Sequence, residues 1–442
     1  LAQSGYGELG EWFQGNGGND TIDGGEALRG YTNRVTYGNS PAAVIVNLSG
    51  AAVTVNGLTV ASGTAQDGFG GVDTLRNIDI VQGSARDDYL YGGDTTVSGI
   101  QESFDPGAGN DYVNGGAGPD EVRYSGAGGP VVVNLGSAAV TFGALTVGAN
   151  TASDGYGTTD TLVSIERAAG GMFNDSLVGG DGDNVLEGYG GNDYIDGGAG
   201  VDYASYRNSP TAISAYLANG SASAGDGYGG TDTLVNIEGI IGTPYDDTLA
   251  GGSGDQWFMG RGGNNTIIGG DGSDWVSYKE SPDPGGVTVD LSAGITSNNG
   301  WGGLWGLAGV DTLSSVENVE GGDYADVLTG DANNNQFMGR GGNDTITGGA
   351  GQDVAIYRGA RSNYQIVELA DGSVTVSDLP KGGAENDGTD TLRGIETARF
   401  ADMDVAVASN IAITPSVTAV NEGGSVTFSV AAPNLAQGTL LN

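Results

Sequence analysis

The chain has 442 residues, with 55 acidic against 15 basic side chains, a net charge of −40, 86 glycines and neither His nor Cys. Such a surface repels nucleic acid and anionic lipid and gathers cations. The missing residue types exclude a Ser-His-Asp triad, a thiol nucleophile, an HExxH zinc helix and any disulfide staple.

Taken in chain order, glycine-rich turns that close on Asp or Asn alternate with minimal x-apolar-x strands. GNGGNDTID ends its turn at Asp20, VIVNL near Val44 alternates with period two, and VDTLRNI follows at Asp73. GSARDDYLY, PGAGNDYVN and GGAGPDEVR place Asp88, Asp111 and Asp120; VVVNL near Val131 and TDTLVSIE at Asp160 come next. From Gly170 four unbroken nonapeptides put Asp175, Asn184, Asp193 and Asp202 at the sixth position. Their eighth positions are Leu177, Leu186, Ile195 and Ala204, the expected inward-facing residues of a thin apolar core. After TDTLVNIE at Asp232, the run from Gly242 gives Asp247, Gln256, Asn265 and Asp274. VTVDL near Val287 and VDTLSSVE at Asp311 precede the run from Gly321, with Asp326, Asn335, Asp344 and Asp353; TDTLRGIE follows at Asp390. Period-two alternation predicts strands. Abundant glycine argues against long helices.

The chemistry of the turn points to a hard cation. Glycine lets a bend turn its carbonyls inward in backbone conformations a Cβ forbids, and the sixth-position carboxylate adds an anionic oxygen. Calcium takes six to eight such oxygens in flexible geometry. One turn supplies half a shell, and the unit two further on stacks above it at roughly 4.8 Å, pairing Asp175 with Asp193 and Asn184 with Asp202. The neutral Asn positions and Gln256 weaken ligation.

These nonapeptides resemble the RTX, or haemolysin-type, calcium-binding repeats, in units scattered from Gly15 to Tyr357. The resemblance implies an all-β fold of parallel β-roll (RTX β-solenoid) modules stacked into an elongated rod, with antiparallel hairpin inserts and a C-terminal β cap. It also implies multiple Ca2+ ions. The ligand set carried over is Asp20, Asp88, Asp111, Asp120, Asp175, Asn184, Asp193, Asp202, Asp247, Asn265, Asp274, Asp326, Asn335, Asp344 and Asp353. It implies one-step type I secretion through a C-terminal signal, which these last residues do not display.

The D-T-L anchors recur at 87, 72, 79 and 79 residues, so the chain reads as modules 1–82, 83–169, 170–241, 242–320 and 321–409. The fifth carries longer capping hairpins, because an open coil edge invites polymerisation. Residues 410–442, IAITPSVTAVNEGGSVTFSVAAP onward, read as a linker or the start of an Ig-like β module, with a strand donated to a neighbouring molecule as the sharper alternative. Four nonapeptides make only two coils, so the DTLxxIE segments are expected to continue the stack. In them Asp154, Asp160 and Glu166, like Asp226, Asp232 and Glu238, form either a second oxygen site or turn caps that accept N–H groups beside a solvated Glu. GDGYGG at Gly225 satisfies G-x-G-x-x-G, but no helix follows to cradle a phosphate. Trp257, Phe258, Trp275, Trp301 and Trp305 read as packing or as a glycan-stacking face.

The functional expectation is an extracellular calcium-binding structural or adhesive protein that folds and rigidifies on calcium: a surface-layer, filament or adhesin segment at a bacterial cell surface. Calcium replaces disulfides as the staple. No enzyme is expected within these residues. The alternatives are a secretion and folding region of a larger secreted enzyme or toxin, or a glycan-binding array. Expected partners are copies of itself, neighbouring surface proteins or extracellular glycan, with no nucleic acid and no membrane span. Leu1 stands where an initiator Met would, and LAQSGYGELGEW has neither charged start nor apolar core, so a piece of a longer polypeptide is expected.

Overall fold

A computed structural model describes residues 11–25, 32–93, 102–217, 223–301, 309–379 and 386–407, with strands Ala412–Pro415 and Phe428–Ala431. The chain forms two compact units, Leu1–Ser253 and Gly254–Asn442. Among the described residues every element is a strand apart from a 3₁₀ turn at Arg361–Asn363.

In the first unit, successive nonapeptides send their three-residue strands alternately to two sheets. One sheet is parallel throughout: Trp12–Phe13, Arg34–Thr36, Ile80–Gln82, Ser103–Asp105, Glu121–Arg123, Arg167–Ala169, Val185–Glu187, Tyr203–Ser205 and Gly239–Ile241. The middle residue of each x-apolar-x triplet turns inward because side chains alternate along a strand. Leu177, Leu186, Ile195 and Ala204 are all fully buried, as their eighth positions require. Burying each Leu or Ile contributes roughly 1.5–3 kcal/mol.

The second sheet is parallel with interruptions that follow one rule. Ile45–Asn47, Tyr89–Tyr91, Tyr112–Asn114 and Thr159–Val163 stack parallel; then Thr151–Ser153 lies antiparallel between Thr159–Val163 and Val132–Asn134, and the parallel stack resumes with Ser176–Val178. Thr64–Gln66 and Ser223–Gly225 play the same part in their modules. The expected hairpin inserts therefore return one antiparallel strand to the sheet, between the D-T-L strand and the V-x-V-N-L-type strand. What projects is shorter: Val53–Val55 pairs with Leu58–Val60 across Asn56 and Gly57, both at positive φ, as a two-residue hairpin turn demands. Asn47 ties this hairpin down by donating to the Ala51 and Val60 carbonyls, and Asn134 ties its counterpart down through the Ala138 and Gly148 carbonyls.

The second unit repeats the scheme. Trp257–Met259, Trp275–Ser277, Asn318–Glu320, Gln336–Met338, Val354–Ile356 and Thr397–Arg399 are parallel neighbours. Thr288–Asp290, Val327–Thr329, Thr345–Thr347 and Thr389–Arg393 stack opposite them. Both sheets then end on antiparallel strands: Asp404–Ala406 on one, Val374–Asp378 with Tyr364–Glu368 on the other. This is the cap expected after the last nonapeptide. Tyr357, Tyr364 and Phe400 pack within about 5 Å of one another there, and Arg361 lies over the Phe400 ring. In 410–442 the two described strands pair antiparallel, Ala412 opposite Ala431; the Glu-Gly-Gly turn lies outside the described residues.

Candidate metal centre

Each turn closes on itself around its sixth residue. The first glycine is required by contact: a Cβ on Gly15 or Gly115 would sit 2.7 Å from the carboxylate of its own Asp20 or Asp120. The fourth glycine is required by conformation. Gly191 has φ +142°, and a Cβ there would strike the Phe173 carbonyl one level below.

The turns are joined level to level by one repeated hydrogen bond. Sixth-position N–H groups donate to the side-chain carboxylate of the level above: Asp175 to Asp193 Oδ1 at 2.8 Å, Asn184 to Asp202 at 2.7 Å, Asp326 to Asp344 at 2.8 Å and Asn335 to Asp353 at 2.9 Å. Those turns lie two nonapeptides apart in the chain and one level apart in the stack, and Asp175–Asp193 and Asn184–Asp202 are the partners expected from spacing. The same bond then runs into the DTLxxIE segments. Asp20 donates to Asp73, Asp111 to Asp160, Asp193 to Asp232, Asn265 to Asp311 and Asp344 to Asp390, each at 3.0 Å. On the other sheet's side Asp120, Asp202, Asp274 and Asp353 donate to Glu166, Glu238, Glu317 and Glu396 at 2.8–3.0 Å. The segment thus supplies the next two levels of the stack, its Asp on one side and its Glu on the other. Asp311, Asp390, Glu317 and Glu396 were not among the expected site residues, although every D-T-L-x-x-(I/V)-E copy carries the same two carboxylates.

Three classes of sixth-position residue result. Asp88, Asp175, Asp247 and Asp326, the first of each run, already accept on both oxygens. Their donors are the strand N–H groups of Val44, Val131, Ile213 and Val287 and the turn N–H groups of Ser84, Gly171, Thr243 and Gly322. Asn184, Asn265 and Asn335 place neutral amides in the row. Asn184 and Asn335 donate to the Glu166 and Glu317 carbonyls, and Asn265 to Asp311. Gln256 donates its main-chain N–H to Asp274. The third class differs. Asp20, Asp111, Asp120, Asp193, Asp202, Asp274, Asp344 and Asp353 each keep a buried carboxylate oxygen with no hydrogen-bond partner, and Asp120 keeps two.

An orphaned anionic oxygen is costly, and the titration of these groups reflects that. Burial, with Asp160, Asp88 and Asp154 nearby, pushes the Asp111 carboxyl up to about 9. Burial, with Asp232, Asp175 and Asp226, pushes Asp193 up to about 8. Burial beside Glu166 carries Asp120 to about 7, and Asp344 is pushed up by burial and by Asp390. Arg167 opposes the shift at Asp120 without overcoming it. A divalent cation against the orphaned oxygens removes both the desolvation penalty and the repulsion, so the donor set fits calcium. Among the described residues no three acidic side chains gather at one point. Each position therefore offers one or two carboxylates, and main-chain carbonyls and water would complete an oxygen shell.

The remaining candidates are turn caps. Oδ1 of Asp154 accepts from the N–H groups of Tyr156, Gly157 and Thr158, and Oδ1 of Asp226 from those of Tyr228, Gly229 and Gly230. Asp160 and Asp232 take the N–H of the level below and also a tyrosine hydroxyl, Tyr124 at 2.8 Å and Tyr206 at 3.0 Å. Glu166 and Glu238 hold N–H groups of the stack rather than standing free in solvent.

A scan against family models matches residues 7–27, 73–95, 107–122, 169–204, 241–277 and 320–355 to the RTX calcium-binding nonapeptide repeat. The chain carries RTX calcium-binding nonapeptide repeats. Its RTX nonapeptides are calcium-binding, and calcium is taken up as multiple ions. Repeats of the RTX kind are typical of secreted proteins, and among the described residues no helix is long and apolar enough to cross a membrane. No curated protein matches the chain. Apart from Asp73, which opens the match over 73–95, the D-T-L segment carboxylates that continue each row lie outside the matched residues.

Proposed function

We propose that this chain is a non-catalytic structural segment of an extracellular protein, of the surface-layer, filament or adhesin type, that is loose without calcium and rigid with it. The observation that carries the reading is the set of eight aspartates that each keep a buried, unpartnered oxygen, within a chain of net charge −40. Stacked anions of one sign resist compaction until cations lie between them. Ions that bind only the folded state then stabilise it, each by about 2.7 kcal/mol at a hundredfold excess over its dissociation constant. Extracellular modules commonly bind in the ~0.1–1 mM range, so folding is tied to the calcium-rich exterior.

Support for a structural rather than glycan-binding role comes from the aromatic set. Trp257 and Trp275 stack on each other at 4.5 Å, Phe258 lies in the core, and the buried Trp301 is covered by Arg261; Trp305 lies outside the described residues. Circular dichroism in EGTA and then in added calcium tests the reading, with β signal expected only in calcium. An unchanged spectrum across that titration overturns it. Electron microscopy of calcium-loaded protein separates the finer alternatives: filaments or sheets support a surface assembly, and dispersed monomers favour a folding region of a larger secreted protein.

A further inference from the structure

The rows of sixth-position carboxylates have ends, and the ends are built. In the row Asp175, Asp193, Asp232 the lower member is closed by the Val131 and Gly171 N–H groups, the middle member keeps an orphaned oxygen, and the upper member accepts the Tyr206 hydroxyl. The row Asp88, Asp111, Asp160 repeats this with the N–H groups of Val44 and Ser84, an orphan at Asp111, and Tyr124. Asp73 and Asp311, one level above Asp20 and Asn265, accept from Tyr37 at 3.2 Å and Tyr278 at 3.1 Å. All four rings are at most 3% exposed, and each follows directly on a three-residue strand of the opposite sheet, as in Tyr203–Ser205 before Tyr206.

The phenol engages Oδ2 of the upper Asp, the same oxygen that stands orphaned on Asp111 and Asp193 one level below. We propose that Tyr37, Tyr124, Tyr206 and Tyr278 take the place of a cation against the last aspartate of each row, and so fix where each row of ions stops. The inference rests on the calcium-binding reading above. Its physical basis is that one hydroxyl donor satisfies a buried carboxylate oxygen that would otherwise need a metal. A closed upper level also matters structurally, because the antiparallel insert strand pairs directly with the D-T-L strand there, where nonapeptide geometry gives way.

The test is a count of bound calcium on the full chain by equilibrium dialysis, with folding followed by circular dichroism. Asp193→Asn is expected to lose one ion, and Asp232→Asn none, because Asn keeps the acceptor for the Asp193 N–H and its amide can face the Tyr206 oxygen. Tyr206→Phe is expected to gain one ion, and Tyr206→Phe combined with Asp232→Asn to return to the wild-type count. Loss of an ion in Asp232→Asn, or an unchanged count in Tyr206→Phe, overturns the proposal. Should Tyr206→Phe not fold, Tyr124→Phe with Asp160→Asn decides by the same counts. A wild-type chain that binds no calcium would instead defeat the underlying calcium reading, and the two failures are told apart by that one measurement.

Discussion

Asp175 and Asp193 occupy the same position of two nonapeptides stacked one level apart, and do opposite things. The turn before Asp193 reads GYGGND and lets Gly191 adopt φ +142°; its aspartate accepts one N–H and leaves an oxygen unpartnered. The turn before Asp175 reads GGMFND, with Phe173 where Gly191 stands, and its aspartate is filled by two N–H donors. Arg86, Tyr245 and Tyr324 occupy the fourth position ahead of Asp88, Asp247 and Asp326, which are filled in the same way. Where the sixth residue is Asp, glycine at the fourth position therefore marks a turn open to a cation, and a large residue marks one closed by the backbone. An aspartate at the sixth position is therefore not by itself a ligand.

Removing the ions should have the greatest effect. In EGTA at pH 7.5 the open turns are expected to lose their order, with most of the calcium-dependent β signal disappearing in circular dichroism. Exchanging the fourth residues comes next. Gly191→Phe forces a side chain into a left-handed conformation and against the Phe173 carbonyl, and should cost at least about 2–3 kcal/mol in calcium-loaded thermal unfolding. Phe173→Gly should cost only ~0.5–1 kcal/mol.

The sixth residues themselves should respond with opposite signs. Asp175→Asn turns an amide donor against a backbone N–H, and should lower stability by about 1–3 kcal/mol with the calcium count unchanged. Asp193→Asn removes an uncompensated buried charge, so the metal-free protein should become more stable in urea while its calcium affinity falls. Acidity sharpens the same contrast. Because Asp111 and Asp193 are raised from 3.8 to about 9 and about 8, the folded metal-free state binds more protons than the unfolded chain across that interval. Its stability is then full below about 4 and declines as pH rises toward 9. The urea midpoint in EGTA should be higher at pH 5 than at pH 8, whereas calcium affinity should rise over that range. The smallest effect belongs to a charge outside the rows. Arg393 and Asp371 pair while half exposed, so Arg393→Ala should change stability by no more than ~1 kcal/mol.

Much of this was legible from residue order. The nonapeptide period, the apolar eighth positions, the pairing of Asp175 with Asp193 and the continuation of the stack through the DTLxxIE segments all follow from a local repeat. The partition of the aspartates was written there too, in the bulky fourth residues Arg86, Phe173, Tyr245 and Tyr324. Its meaning depends on the carbonyl of the level below: Gly191 lies against that of Phe173, and Gly342 against that of Tyr324.

Residue order by itself determined the strand length, the inward-facing side chains and the demand for a hard cation, because each is set within nine residues by backbone conformation and charge. Tertiary structure alone decided which groups meet across the inserts. Asp193 reaches Asp232 over 39 residues, Asp344 reaches Asp390 over 46, and Tyr206 finds Asp232 over 26. No period specifies those separations, since the inserts vary in length while the level spacing of the stack does not. Register between levels is imposed by hydrogen bonding along the sheets, and that register places a phenol against one aspartate and leaves the oxygen of the next without a partner.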